Sequence, residues 1–172
     1  MHEKNEIAIK DACILIDLID LALLKEFFQL DLIVFTTPQV INEITDENQK
    51  LEVNQFLDKG VLNIDAEGVF EKIQDLVEEF STLSFADCSV IEVAERRNAI
   101  IFSADGSLRK ISKKQGFTVR GTLWIIKEFY EKNILTGEEA IRKLELYSEI
   151  NERAPRKEIN KLIEELNKKP RK

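Results

Sequence analysis

The chain has 172 residues, 44% of them hydrophobic and 33% charged, with 6 Gly and 3 Pro. That is one domain of ordinary size with enough apolar residues for a layered core, and it excludes a disordered or collagen-like chain. The net charge of -7 argues against a general nucleic-acid coat and leaves room for a local basic patch. Cys13 and Cys88 are too few for a disulfide framework and point to a reducing, cytoplasmic setting. The only histidine is His2, which excludes Ser-His or Cys-His catalysis and an imidazole zinc site. No apolar run reaches the ~18 residues of a bilayer span, and the opening Met1 to Glu6 is no signal n-region. No membrane association is expected.

Ile7-Ala8-Ile9 reads as a first strand ending at Asp11. Ala12 to Phe28 follows with apolar residues at helical spacing. Leu32 to Phe35 is a second strand, and Thr36-Thr37-Pro38 turns into a helix carrying Val40, Ile41 and Ile44 inward and Glu43 on its other side. A polar stretch from Thr45 to Lys50 leads into a helix that stops at Gly60. Val61 to Ile64 is a third strand, and Val69 to Phe80 a helix. Ser84 opens another helix with Ala86, Val90, Ile91, Val93 and Ala94 on its apolar side. Ala99 to Phe102 is a fourth strand, and Asp105-Gly106 starts a helix ending at Gly116. Phe117 to Val119 is a fifth strand, with a helix from Leu123 to Tyr130. Thr136-Gly137-Glu138-Glu139 is a capping box for a helix toward Tyr147, and a last helix carries Ile159, Leu162, Ile163 and Leu166.

Strands alternate with helices, so the expected class is α/β: an open parallel β-sheet of about five strands with helices on both faces, plus a C-terminal helical extension. The expected division is 1–135 for the sheet domain and 136–172 for the extension.

In such a sheet, function gathers beyond the carboxyl ends of the strands. Asp11 follows the first strand, Glu43 lies on the helix after the second, and Asp105 follows the fourth. Asp87 lies in the first turn of the helix before it. Two carboxylates ~4 Å apart repel by about 4 kcal/mol at an effective dielectric of 20, so four acids at one mouth must hold protons or a cation. An all-oxygen donor set suits Mg²⁺ or Mn²⁺, which can activate water against a phosphodiester. Each acid also has a plainer reading: Asp87 as a capping-box partner of Ser84, Asp105 as an N-cap, Glu43 as a solvated helix residue. Asp17, Asp20, Asp31, Glu92 and Glu95 are assigned to solvated faces, and Cys13 and Cys88 to buried small hydrophobes.

From Arg96 to Arg120 there are seven cations against Asp105 alone, a window of +6 in a chain whose remainder is -13. Arg109, Lys110 and Lys113 lie in it, placed to meet the phosphates of a polyanionic substrate. The segment 151–172 adds eight cations against four anions.

These residues resemble the PIN-domain family, including its VapC-type toxins. Asp11-Ala12-Cys13, the stretch Thr36 to Ile44 with Glu43, Leu83-Ser84-Phe85-Ala86-Asp87, and Ser103-Ala104-Asp105-Gly106-Ser107-Leu108-Arg109 match its motifs in order, over roughly residues 6 to 130. The resemblance implies that Asp11, Glu43, Asp87 and Asp105 form a catalytic quartet and that Asp11, Asp87 and Asp105 hold Mg²⁺ or Mn²⁺, supported by the Ser103 hydroxyl. It implies hydrolysis of RNA by metal-activated water, a homodimer and, for toxins, an antitoxin protein. Cys13 stands where a hydroxyl or amide is usual, and Gly106 and Ser107 follow Asp105 where the family often adds another acid. A catalytically weak PIN-like binding or assembly module is the alternative. An aspartyl phosphotransfer enzyme, a further alternative, needs a second Asp two residues after the first, where this chain has Cys13, or a paired acid and a lysine after a late strand.

Overall fold

The computed structural model describes residues 6–168; His2, the opening segment and the end of the basic tail lie outside the described residues. Five strands, β1 (Glu6–Lys10), β2 (Leu32–Thr36), β3 (Leu62–Ile64), β4 (Ile100–Phe102) and β5 (Val119–Arg120), form one sheet in the order β3-β2-β1-β4-β5. Every neighbouring pair is parallel. The α/β class and the parallel sheet are therefore as expected. The fifth strand is shorter than expected and shifted toward Arg120.

Among the described residues ten helices flank the sheet, seven between strands and three after β5: α1 (Ala12–Asp20), α2 (Leu24–Phe27), α3 (Pro38–Glu43), α4 (Glu47–Asp58), α5 (Phe70–Glu79), α6 (Phe85–Arg97), α7 (Gly106–Lys114), α8 (Thr122–Glu131), α9 (Gly137–Ile150) and α10 (Arg156–Lys168). The chain runs one way along the sheet from β1 to β3, then returns across β1 to β4. Right-handed crossovers in opposite directions set α1 on one face and α6 on the other. On its face α6 packs against β1, β4, α3 and α5. Eight of its residues are buried, from Ala86 to Ala94 with Asp87 as the exception.

The expected helix Ala12–Phe28 is two helices. Ala22 takes a left-handed conformation (φ 51°), and Leu23 N–H donates back to Leu18 O at 2.7 Å. Such a turn is strained for a residue with a Cβ. It is held because Leu21, Leu23, Leu24 and Phe27 are all fully buried around it. The polar stretch before Gly60 is mostly helix: Asp46 caps α4 by accepting from Asn48 and Gln49 N–H. Gly60 then takes φ +68° just past the helix end, a conformation glycine adopts without steric penalty.

One core unites the chain. Phe102 stands edge-on to Phe27 (5.5 Å between centroids) and meets Trp124 at 5.6 Å. Ala140, Leu144, Tyr147, Ile159, Leu162 and Leu166 of α9 and α10 belong to the same buried cluster. Among the described residues no helix is long and apolar enough to cross a membrane.

Candidate active site

Strand order reverses between β1 and β4. Their carboxyl ends diverge there into Asp11 and Ser103-Ala104-Asp105, tied by Asp11 N–H to Phe102 O at 3.1 Å. This is the crevice where open α/β sheets bind ligands. Asp11 caps α1, its Oδ1 accepting from Ile14 N–H at 2.9 Å. Asp105 caps α7, its Oδ1 accepting from Leu108 N–H at 2.8 Å. Asp87 completes the capping box of α6, its Oδ2 accepting from Ser84 N–H at 2.9 Å. Each cap fixes one carboxylate oxygen and leaves the other outside the cap.

The plainer readings of Asp87 and Asp105 thus hold as local structure, and the charges of both act on Asp11. Asp11 is 3% exposed, and its Oδ2 is buried without a hydrogen-bond partner. Burial pushes its carboxyl up from 3.8 to about 7. The Ser103 hydroxyl and Ile14 N–H oppose the rise, while the charges of Asp87 and Asp105 add to it. Asp87 is itself raised by burial against its bonds to Ser84, with Asp105 adding repulsion. Glu43, at the end of α3, is raised by burial and then by Asp87; its Oε1 accepts from the Ser84 hydroxyl at 3.3 Å. Ser103 is fully buried, and its Oγ accepts from Asp105 N–H at 3.0 Å.

The structure therefore brings Asp11, Asp87 and Asp105 into mutual electrostatic range, with Glu43 joined through Asp87 and Ser84. It does not close them into a cage. Among the described residues no three His, Cys, Asp or Glu side chains stand close enough together to hold an ion. The donor chemistry fits a hard divalent cation all the same: the donors are oxygens, and the buried, unpartnered Oδ2 of Asp11 calls for a cation or a proton.

Arg109 is fixed beside the acids, donating from Nη1 to Ser103 O at 2.8 Å. A Cβ on Gly121 would lie 2.6 Å from that Nη1, so glycine is what lets the guanidinium reach the strand end. Lys110 and Lys113 are exposed on α7. Two other cations of the basic window are spent inside the fold. Arg96 bonds Asp65 (2.7 Å) and Glu92 (3.1 Å), and Arg97 bonds Asp65 and lies 4.1 Å from the Phe35 ring.

Three assignments to solvent or core are corrected. Glu92 is buried, because Arg96 pairs with it one helical turn away. Asp17 is buried, accepting from Thr122 Oγ1 at 2.7 Å and Asn151 Nδ2 at 3.0 Å, partners 105 and 134 residues away. Cys13 is exposed rather than core, while Cys88 is buried; neither is in a disulfide. Sequence reading counted Arg120 in the basic window but missed Trp124 and Arg153, which with it line a cleft next to Ser103 and Gly106. The only sequence signal for that cleft was the surplus of cations.

Acids beyond the carboxyl ends of β1 and β4, with Arg109 beside them, make the switch point of this parallel sheet the candidate site of an α/β domain. The sequence profile of the PIN domain matches residues 7–168, so the chain belongs to the PIN-domain family, as its motifs implied. The match runs on through α9 and α10, past the residues that carried the resemblance. The chain is 32% identical over 108 residues to endoribonuclease Nob1 of Methanocaldococcus jannaschii, covering 60% of this chain and 54% of Nob1. It thus spans about half the length of that relative. The crystal structure of PAE2754 from Pyrobaculum aerophilum superposes with a TM-score of 0.48 at 17% identity, covering 67% of this chain and 83% of that one.

Proposed function

We propose that this protein is a ribonuclease that hydrolyses RNA phosphodiester bonds with Mg²⁺ or Mn²⁺. The observation that carries the reading is the buried Asp11 carboxylate, its Oδ2 without a hydrogen-bond partner and the charges of Asp87 and Asp105 acting on it. PIN-domain membership and the likeness to an endoribonuclease support it. Asp11, Asp87 and Asp105 would hold the ion through the oxygens their caps leave over. When bound, the ion supplies Lewis acidity toward water and charge neutralisation on the phosphodiester. Glu43, at the rim with its carboxyl raised, orders the attacking water and takes up its proton. Ser103 holds the Asp105 backbone and faces Asp11. Arg109, anchored on Ser103 O, and the exposed Lys110 and Lys113 meet phosphates.

In this reading residues 1–135 are the nuclease unit and 136–172 an extension packed on it. The free cysteines suit the cytoplasm. We also propose a homodimer and, if the chain acts as a toxin, an antitoxin protein that covers the acidic mouth.

The test is cleavage of total RNA with Mn²⁺ against the same reaction with chelator. Asp11→Asn and Asp105→Asn should each abolish cleavage with the circular dichroism unchanged; full activity in either variant removes that residue from the mechanism. Cys13 beside Asp11 favours a second reading, a binding or assembly module, because a thiol supports a ligand carboxylate less well than a hydroxyl. Absence of both RNA cleavage and any Mn²⁺ effect on thermal unfolding would favour it.

A further inference from the structure

A cleft of about 550 Å³ opens beside the acids, running from Ser103 and Gly106 to the turn between α9 and α10. Three arginines line it: Arg109 on α7, Arg120 on β5 and Arg153 in the turn between α9 and α10. Glu158 is the one carboxylate among its lining residues. Arg120 is not simply solvated. The Arg120 guanidinium sits 5.0 Å from the Trp124 ring centre, and its Nε is buried without a hydrogen-bond partner. A buried guanidinium N–H left unpaired is unfavourable unless an acceptor arrives, and phosphate matches that donor geometry. Trp124, Tyr147 and Pro155 give the same cleft apolar walls. Its size is in the range of sites for small organic ligands, larger than an inorganic anion needs.

The far wall comes from the C-terminal extension. Asp17 fixes that wall, accepting from Thr122 at the start of α8 and from Asn151 two residues before Arg153. The extension thereby carries a third guanidinium to a cleft that the sheet domain alone would leave open on one side.

We propose that this cleft is a nucleotide subsite. It takes one unit of single-stranded RNA next to the scissile bond, its phosphate among Arg109, Arg120 and Arg153 and its base against the aromatic wall at Trp124. The strand's identity and direction toward the acids rest on the ribonuclease reading; the cation and aromatic geometry does not. Stacking on an aromatic face with cations tracking the backbone is how single strands are held without sequence preference.

Trp124 is the only tryptophan in the chain, so intrinsic fluorescence reports on this cleft. The full chain is titrated in chelator with uridine and adenosine 5′-monophosphates, the matching nucleosides, inorganic phosphate and an acidic hexapeptide. The expected result is saturable quenching by the nucleotides, at least tenfold weaker for nucleosides or phosphate alone. Arg153→Ala, an exposed change that leaves the fold intact, should weaken nucleotide binding at least tenfold, and Arg120→Ala at least as much. No saturable quenching, or unchanged affinity in folded Arg153→Ala, overturns the proposal. Response to the acidic peptide alone overturns it in favour of a protein partner. RNA cleavage by the wild type with an unchanged KM in Arg153→Ala sinks the subsite and leaves the nuclease reading standing. Nucleotide quenching without any Mn²⁺-dependent cleavage sinks the nuclease reading and upholds the subsite.

Discussion

Asp11→Asn should make the metal-free protein more stable at pH 8. Folding raises the Asp11 carboxyl from 3.8 to about 7, chiefly through burial. Between those values the native state keeps a proton that the unfolded chain has lost. The unfolded state then binds fewer protons, so stability falls as pH rises, by about 1.4 kcal/mol per pH unit, and levels off above pH ~7. The full penalty is roughly 4 kcal/mol, an upper figure because an Asn side chain brings an amide that also needs a partner. Asn caps a helix about as well as Asp, so the bond from Ile14 N–H survives the change. Urea unfolding followed by circular dichroism in chelator should show Asp11→Asn more stable by about 2–4 kcal/mol at pH 8. The gap should nearly close at pH 4, where the wild-type carboxyl is largely protonated when folded and about half protonated when unfolded. A divalent ion a hundredfold above its Kd should stabilise the wild type by about 2.7 kcal/mol and the variant far less. A variant that is destabilised at pH 8, or whose advantage is the same at both pH values, would refute a strained, cation-seeking Asp11.

Asp65→Asn should cost about 2–3 kcal/mol in urea unfolding. That is less than the 3–5 typical of a fully buried pair, because Arg96 and Arg97 keep about a quarter of their side-chain surface in water. Burial acts to raise the Asp65 carboxyl, but the arginine bonds outweigh it and hold it below its ordinary value. That stabilisation is therefore present above pH ~4 and lost as pH falls through the lowered value, whereas a flat acid limb would contradict it. Thr122→Val should cost about 1–3 kcal/mol by removing the donor to buried Asp17, and should loosen the Arg153 turn as seen by faster amide exchange at Asn151; no change in either would break the proposed link. Cys13 is exposed by area, yet desolvation first and then the charges of Asp11, Asp105, Asp17 and Asp87 push its thiol up to about 12. Alkylation at pH 8 should be slower than for a free thiol, the lost thiolate fraction outweighing the greater nucleophilicity of a higher-pKa thiolate, and faster with Mn²⁺ present; a rate equal to that of free cysteine would show that the acids lie elsewhere.

Local patterns carried far in this chain because each is settled within a few residues. The alternation of strand and helix, the capping boxes at Ser84 and Thr136, and the glycine stops at Gly60 and Gly116 are all decided by neighbours along the chain. The same holds for the position of Asp11 and Asp105 just past their strands, which is why their helix-cap and site readings were both legible. The break at Ala22 was not, because apolar residues at helical spacing on both sides of it read as one helix until the core decides which of them must turn inward.

What the sequence alone determined is the α/β order of elements, the PIN-like motifs and the placing of Asp11 and Asp105 just past their strands, with Asp87 in the first turn of its helix. Tertiary structure decided how the remaining charges are used. Asp17 and Glu92 look like any solvated acid until Thr122, Asn151 and Arg96 are seen to enclose them. Arg96 and Arg97 look like phosphate ligands until Asp65 takes them up, while Arg120 and Arg153 become neighbours of Trp124 only once α9 and α10 fold back onto the sheet domain. The reason is physical: whether a charge is buried, paired or left waiting for a ligand depends on groups that chain folding brings together from a hundred residues away, and composition and spacing carry no record of that pairing.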